Sequence, residues 1–237
     1  MSAVVAALLL LAPVDEALAK ADALAAAAKA APPERQAKAV DEALAAYDAV
    51  IAMRPKDDKL VPRVRRRRAT LLKFAGRPKE AIAEHDRIVS GPARRKDKAR
   101  ALCDGALLLE KGADFAAAEA RLRRVLEEYK EDVRAGAAAA IARGRVLEKM
   151  ARPEDAAKCY RFVVEKCRDE VEAMINSYDA LALLAIAGKD TREAQRWLRE
   201  CRDRFEKRSL RGDRYGAFVG RLLAAMKAPA ALAQAMG

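Results

Sequence analysis

The sequence contains few of the residues from which catalytic and metal sites are built. Its 237 residues include one histidine, His85, and four cysteines, none of which form a pair with two residues between them. A hydrolytic triad or a zinc site needs more partners than a single histidine supplies. We therefore expect no catalytic residues, no metal site and no cofactor, and a protein that is not an enzyme.

Glycine-rich loops and long apolar segments are also missing. The 11 glycines stand singly inside predicted helices or at their ends, so no loop has the composition that cradles phosphates. The apolar stretch near the N-terminus, residues 3–12, is too short to cross a bilayer. The sequence therefore predicts neither a phosphate-binding loop nor a transmembrane span.

The first 19 residues have features of a signal peptide. The apolar stretch is followed by Ala17-Leu18-Ala19, which supplies small residues two positions apart, as a signal peptidase site needs. No lysine or arginine precedes the stretch, so the alternative is a first helix whose apolar start packs on the rest of the chain. We favour cleavage near Ala19 and a periplasmic or exported protein, with a cytoplasmic protein as the alternative.

Five alanines recur at intervals of 37 or 38 residues, and an even period of this length indicates stacked helical repeats. Four positions after each alanine stands a large residue, and strong helix formers dominate the composition. We predict an all-α fold in which each repeat packs on its neighbours. The alanines are Ala43, Ala81, Ala118, Ala156 and Ala194, and the large residues are Tyr47, His85, Leu122, Tyr160 and Leu198.

Turn-forming residues divide the chain into pairs of helices. Gly112 and Gly188 are placed to end helices, and Asp114 is placed to cap the helix that follows. We predict five helical hairpins over residues 20–207. A capping helix and a frayed tail are predicted over residues 208–237, because a stack of repeats needs a cover for its last apolar face.

The chain resembles the tetratricopeptide repeat family, whose helix–turn–helix unit has a second helix of the form A-x3-aromatic with a closing proline. Ala43, Tyr47 and Pro55 match this form, and Ala156 and Tyr160 match it again. The resemblance implies a right-handed α-α superhelix of about five hairpins, with a concave groove lined by the first helix of each. The period is three or four residues longer than the family's length of about 34, which predicts longer loops or helices.

Carried over by phase, the resemblance assigns twelve residues to the groove. These residues make the groove basic in the second and third hairpins and more apolar in the fourth and fifth. Such a groove suits a segment with an acidic end and an apolar end. We therefore predict a non-catalytic scaffold or adaptor that binds a protein or peptide in a bacterial cell envelope. The twelve residues are Arg63, Arg66, Thr70, Lys73, Arg100, Leu107, Ile141, Arg145, Asn176, Asp179, Leu183 and Ile186.

Positive charge is concentrated in one region of the chain. The net charge is +12, and residues 61–100 alone contain 14 basic and 4 acidic side chains. The alternative function is a cytoplasmic repeat protein that binds nucleic acid or another polyanion through its second repeat. No aromatic residue is interleaved with the arginines of 63–68 or 94–100, which argues against stacking on bases. An ordinary solvated surface is the third interpretation.

The repeat phase also assigns the residues that could be mistaken for reactive groups. His85 and Cys201 take positions at which the other copies have packing residues, so we predict that both are buried. Trp197 precedes the phased Leu198, and we predict that it fills the next seam between repeats. The alternative is that Trp197 is an exposed anchor for a partner.

Overall fold

The computed structural model describes residues 14–205, and every regular element in this part of the chain is an α-helix. The predicted all-α fold is confirmed. The ten helices of the described residues are α1 (Val14–Ala30), α2 (Pro33–Met53), α3 (Leu60–Phe74), α4 (Pro78–Ser90), α5 (Arg95–Lys111), α6 (Phe115–Glu128), α7 (Val133–Lys149), α8 (Pro153–Lys166), α9 (Val171–Ala187) and α10 (Thr191–Phe205).

Consecutive helices pair into five hairpins, α1–α2, α3–α4, α5–α6, α7–α8 and α9–α10. Contacts between residues divide the chain into two compact units, residues 1–125 and residues 126–237, here called unit 1 and unit 2. In unit 1, α2 also packs on α3, and α4 packs on α5. In unit 2, α8 packs on α9. Each unit has its own apolar core.

The turn between the helices of a hairpin has the same backbone form in four copies. One residue in each turn has a left-handed conformation, with φ between 55° and 70°. The next residue donates its N–H to a carbonyl five positions back, as in Arg77 to Leu72 at 2.9 Å and Asp190 to Ala185 at 2.8 Å. Gly112 and Gly188 end their helices as predicted, but the left-handed residue is the one that follows. The left-handed residues are Gly76, Ala113, Ala151 and Lys189.

The phased positions are buried, as the repeat predicts. The five alanines are at most 4% exposed, and the small residue lets the two helices of a hairpin approach closely. His85 is 5% exposed and Cys201 is fully buried, which confirms their predicted place in the packing. Trp197 is buried too, with its ring centroid 6.3 Å from that of Tyr178. The predicted burial of Trp197 is therefore confirmed, and its ring partner Tyr178 lies on the preceding helix of the same hairpin.

The N-terminal prediction is partly outside the described residues. Residues 1–13 of the predicted signal peptide and the predicted capping helix at 208–237 lie outside the described part of the chain. Residues 14–19 of the predicted signal peptide are described. Those six residues belong to α1, and Ala17 and Leu18 are buried in the core of unit 1. Among residues 14–205, no helix is both long enough and apolar enough to span a membrane.

Candidate functional site

The twelve residues assigned to the groove lie on helix surfaces and not in either core. Each of them is exposed or half-buried. In unit 1 they lie on α3 and α5, and in unit 2 on α7 and α9. Spacings of three, four or seven residues place them on one face of each helix. The other faces supply core residues, such as Leu71 in α3 and Leu147 in α7.

The five arginines of α3 lie on different faces of the helix and have different neighbours. Arg65 and Arg68 contact Glu84 of α4, which is only 1% exposed. The Arg65 Nη1 lies 3.1 Å from Glu84 Oε2, and the Arg68 Nη2 lies 3.7 Å from Oε1. A buried carboxylate needs such partners because an unpaired charge is expensive to remove from water. Arg65 and Arg68 therefore stabilise the second hairpin.

Arg67 links three helices of unit 1. Its guanidinium donates to Asp22 of α1, and the hydroxyl of Tyr47 in α2 donates to the other oxygen of Asp22 at 2.8 Å. Burial of the ring and this hydrogen bond to a carboxylate raise the pKa of Tyr47 above its ordinary value. Arg67 is thus a structural residue, like Arg65 and Arg68.

Arg63 and Arg66 have a different position, because both line a pocket of about 480 Å³ in unit 1. The pocket lies beside the first residues of α1 and α3, with further walls from the end of α2 and the residue before α5. Five of its lining residues are basic and two are acidic. The lining residues are Val14, Asp15, Arg54, Asp57, Lys59, Leu60, Arg63, Arg66 and Arg94.

A single buried carboxylate holds two arginines of this pocket. Asp97, in the first turn of α5, is 5% exposed. Its Oδ2 accepts from the Arg94 Nε at 2.8 Å, and its Oδ1 lies 3.7 Å from the Arg66 Nη2. Burial lowers the pKa of Arg66, and the nearby positive charge of Arg100 lowers it further. The pocket therefore gathers more positive charge than its neighbouring carboxylates neutralise.

The predicted face of unit 2 is less charged. Leu183 is 39% exposed, while Ile141 and Ile186 are half-buried and Ile141 packs against the core of the unit. Asn176 and Arg145 are exposed beside them. This face offers apolar contact area at α7 and α9 with polar groups next to it.

Two groups of surface residues were not predicted from the sequence. Arg54, Lys59 and Arg94 line the pocket but lie outside the first helices of the hairpins, to which the repeat phase confined the prediction. Phe74 and Phe162 are 45% and 41% exposed, on α3 and α8. The long repeat period could have pointed to Arg54, Lys59 and Arg94, because it predicts longer loops between hairpins.

Two observations on residues 14–205 bear on metal binding and on the reactivity of Cys201. Among residues 14–205, no group of three or more histidine, cysteine, aspartate or glutamate side chains could hold a metal ion. Burial raises the pKa of Cys201 to about 12, with further contributions from Asp179 and Glu200. A thiol with so high a pKa remains protonated and unreactive at neutral pH.

Solved structures with a similar fold are tetratricopeptide-containing proteins. MamA matches with a TM-score of 0.53 and 18% identity, over 74% of this chain and 94% of that one. PilF of Pseudomonas aeruginosa matches with a TM-score of 0.55 and 16% identity, over 93% of this chain and 89% of that one. PilW, described as a type IV pilus biogenesis factor, matches with 0.50 and 18%, over 74% of each chain. No family model matches the sequence. No curated protein matches it either. The tetratricopeptide-type fold predicted from the sequence is therefore confirmed.

Proposed function

We propose that the protein is a non-catalytic scaffold that binds a protein or peptide on the exposed faces of the first helices of its hairpins. The observation that carries the proposal is the surface position of all twelve predicted residues, on helices whose other faces form the cores. Exposed side chains on one face of a helix can contact a partner without disturbing the core on the other face. The fold supports the proposal, because helical repeats present extended surfaces of this kind.

In unit 1 the proposed surface is basic. Arg63, Lys73 and Arg100 are exposed and Arg66 is half-buried, so the surface suits a segment with acidic side chains. In unit 2 the proposed surface is apolar at Leu183 and suits the apolar part of a partner. Charge complementarity of this kind raises the rate of association and selects among partners more than it raises affinity.

Capture of partners by variant proteins tests this proposal. The quadruple variant Arg63→Ser, Arg66→Ser, Lys73→Ser and Arg100→Ser removes four positive charges from the proposed surface. The matched control Arg35→Ser, Lys38→Ser, Lys56→Ser and Lys79→Ser removes four exposed charges of unit 1 that lie outside it. We expect partners captured from the native organism to be lost with the first variant and retained with the second. Retention of every partner by the first variant would contradict the proposal.

We also propose a location in the cell envelope, supported by the apolar stretch at residues 3–12 and the small residues at Ala17 and Ala19. One of the similar solved structures, PilW, is described as a type IV pilus biogenesis factor. Cleavage after Ala19 would remove Ala17 and Leu18 from the core of unit 1. A cleaved protein therefore lacks part of the packing that α1 makes in the full chain. N-terminal sequencing of the native protein tests the location: a chain that begins near Lys20 supports it, and one that begins at residue 1 or 2 contradicts it.

A further inference from the structure

The pocket of unit 1 has more positive charge than its own carboxylates can neutralise. Asp57 is already engaged, because its Oδ1 accepts from the backbone N–H groups of Lys59 at 2.9 Å and Leu60 at 2.8 Å. Asp15 is 96% exposed and reaches Arg63 only at 3.9 Å. An exposed ion pair of this length contributes little. With Asp15, Asp57 and the buried Asp97 counted against five cations, the pocket keeps a net charge of about +2 (five minus three).

The arrangement of the arginines is held in place by the fold. Asp97 draws Arg94 and Arg66 to one wall, although the two residues come from different hairpins. Because Asp97 is itself buried, it fixes these two side chains without filling the pocket. Arg54, Lys59 and Arg63 also line the pocket. The cations converge from the loop before α3, from α3 and from the residue before α5, in contrast to a run of charges along one solvated helix.

The chemistry of the lining favours a compact, multiply charged oxyanion. Guanidinium groups form paired N–H···O bonds with phosphoryl oxygens, and lysine contributes a point charge. A single carboxylate would neutralise one charge and leave the others. None of the nine lining residues is aromatic, so the pocket offers no platform for a nucleobase. Its volume of about 480 Å³ is that of a small-ligand site.

We propose that this pocket binds a phosphoryl-type oxyanion, either free as pyrophosphate or as a phosphoryl group on a partner. In the second case the proposal rests on the proposed function, and in the first case it does not. The shared chemistry is an anion with at least two negative charges and several acceptor oxygens. Its oxygens contact Arg54, Lys59 and Arg63, while Arg66 and Arg94 supply the charge behind them.

Calorimetric titration of the purified full chain with inorganic pyrophosphate tests the proposal. We expect saturable binding at one site per chain that weakens as salt is added, because the contacts are largely ionic. The pocket variant Arg54→Ser, Lys59→Ser and Arg63→Ser should raise the Kd by about tenfold or more, since each lost contact is charge-assisted. These three residues make no contact with a buried carboxylate, so circular dichroism should show an unchanged fold.

A matched variant distinguishes binding in the pocket from non-specific attraction of the anion to the positively charged protein. Arg35→Ser, Lys38→Ser and Lys79→Ser removes three positive charges from exposed positions of unit 1 that lie outside both the pocket and the proposed binding surface. We expect its Kd to stay within about twofold of the parent, because screening weakens the effect of distant charges. Equal loss in the two variants, several weak sites per chain, or no saturable binding would overturn the proposal. Thermal melting provides a second measurement: pyrophosphate should raise the Tm of the parent but not of the pocket variant.

The source of the anion is identified by competition. A phosphoserine peptide that displaces pyrophosphate, when its unphosphorylated twin does not, places the group on a protein partner. Displacement by neither peptide, with pyrophosphate still bound, assigns the pocket to a free anion. Both results leave the pocket proposal intact, and both can be obtained even if the capture experiment fails. Duplex DNA that binds equally to the parent and to the pocket variant would contradict a role of these residues in nucleic-acid binding.

Discussion

Units 1 and 2 use the same repeat position for opposite chemistry. Glu84 stands three residues after the phased Ala81, and Trp197 stands three residues after the phased Ala194. Both side chains are buried, at 1% and 8% exposure. Each contacts a residue 19 positions earlier on the preceding helix, Arg65 for Glu84 and Tyr178 for Trp197. An ion pair in unit 1 therefore occupies the place of an aromatic pair in unit 2.

The comparison shows that the repeat determines geometry and leaves the chemistry open. In unit 2, burial of Trp197 beside Tyr178 and the edge-on Phe205 stabilises through removal of apolar surface from water. In unit 1, the ion pairs of Glu84 with Arg65 and Arg68 offset the free energy lost when the Glu84 carboxylate leaves water. Unit 1 thus depends on the completeness of its ion pairs, whereas unit 2 depends on packing.

The largest expected effect comes from breaking the buried ion pair. Glu84→Leu should lower the free energy of unfolding by about 3–5 kcal/mol, because Arg65 then keeps a half-buried charge without its carboxylate. The double variant Arg65→Leu and Glu84→Leu should recover much of the loss, since it imitates the apolar pair of unit 2. Urea denaturation measures both. A double variant as unstable as the single one would contradict the comparison.

A smaller effect separates the helical glycines of the two units. A Cβ on Gly144 would lie 2.5 Å from the Tyr160 Cζ, in a buried ring that cannot move aside, so Gly144→Ala should cost about 1–3 kcal/mol. A Cβ on Gly105 would lie 2.6 Å from the Arg121 Nη1, at the flexible end of a side chain. Gly105→Ala should therefore be close to neutral, helped by the better helix propensity of alanine, about 0.8–1.0 kcal/mol. Equal melting shifts for the two variants would contradict this difference.

The hairpin turns should behave alike in both units. Ala113, Ala151 and Lys189 have left-handed backbones that glycine adopts without strain. Replacement of each by glycine should stabilise the chain by about 0.5–1 kcal/mol, a shift that thermal melting can resolve. Gly76→Ala should destabilise by a similar amount, about 1 kcal/mol, because the turn of the second hairpin already has glycine. A gain in one unit and a loss in the other would show that the turns are not equivalent.

The chain has a single histidine, so its titration reports on unit 1 alone. Burial lowers the pKa of His85, and Arg121 lowers it further, against the opposing charges of Asp104, Asp86 and Glu84. A lowered folded-state pKa means that the contribution to stability is complete above the ordinary value of about 6.5 and is lost as the pH falls below it. Unfolding free energies between neutral and mildly acidic pH should therefore decline more steeply for the parent than for His85→Leu. Parallel curves would contradict the assignment.

Much of the fold could be predicted from the sequence, because helix boundaries depend on local residues. The ends of α5 and α9, immediately before Gly112 and Gly188, agree with the prediction, and the cap at Asp114 is confirmed by its bond to the Ala117 N–H at 3.1 Å. The phase of the alanines also sufficed to place His85 and Cys201 in the cores. These features need only the period, the turn residues and the helical geometry.

The candidate site was predicted in part. Helical spacing alone separates Arg63 and Arg66 from Arg65 and Arg68 on α3, but it cannot name the carboxylates on other helices that engage them. Glu84 and Asp97 are recognisable as ion-pair partners only when the hairpins are assembled, because each is distant in sequence from the arginines of α3 that it contacts. The pocket residues in loops depend on how those loops fold back, which the repeat pattern does not specify.

Two neighbouring arginines of α3 provide the most direct test of the account, which divides the charge of unit 1 into structural and binding residues. Arg63→Gln removes a pocket residue, and Arg65→Gln removes a partner of Glu84. Urea denaturation and pyrophosphate titration should both be run on each variant. We expect Arg63→Gln to weaken binding severalfold with a stability change below about 0.5 kcal/mol, as for an exposed site. Arg65→Gln should lower stability by about 1–3 kcal/mol and leave the Kd of the folded protein unchanged. Equal effects of the two variants on both measurements would contradict the division.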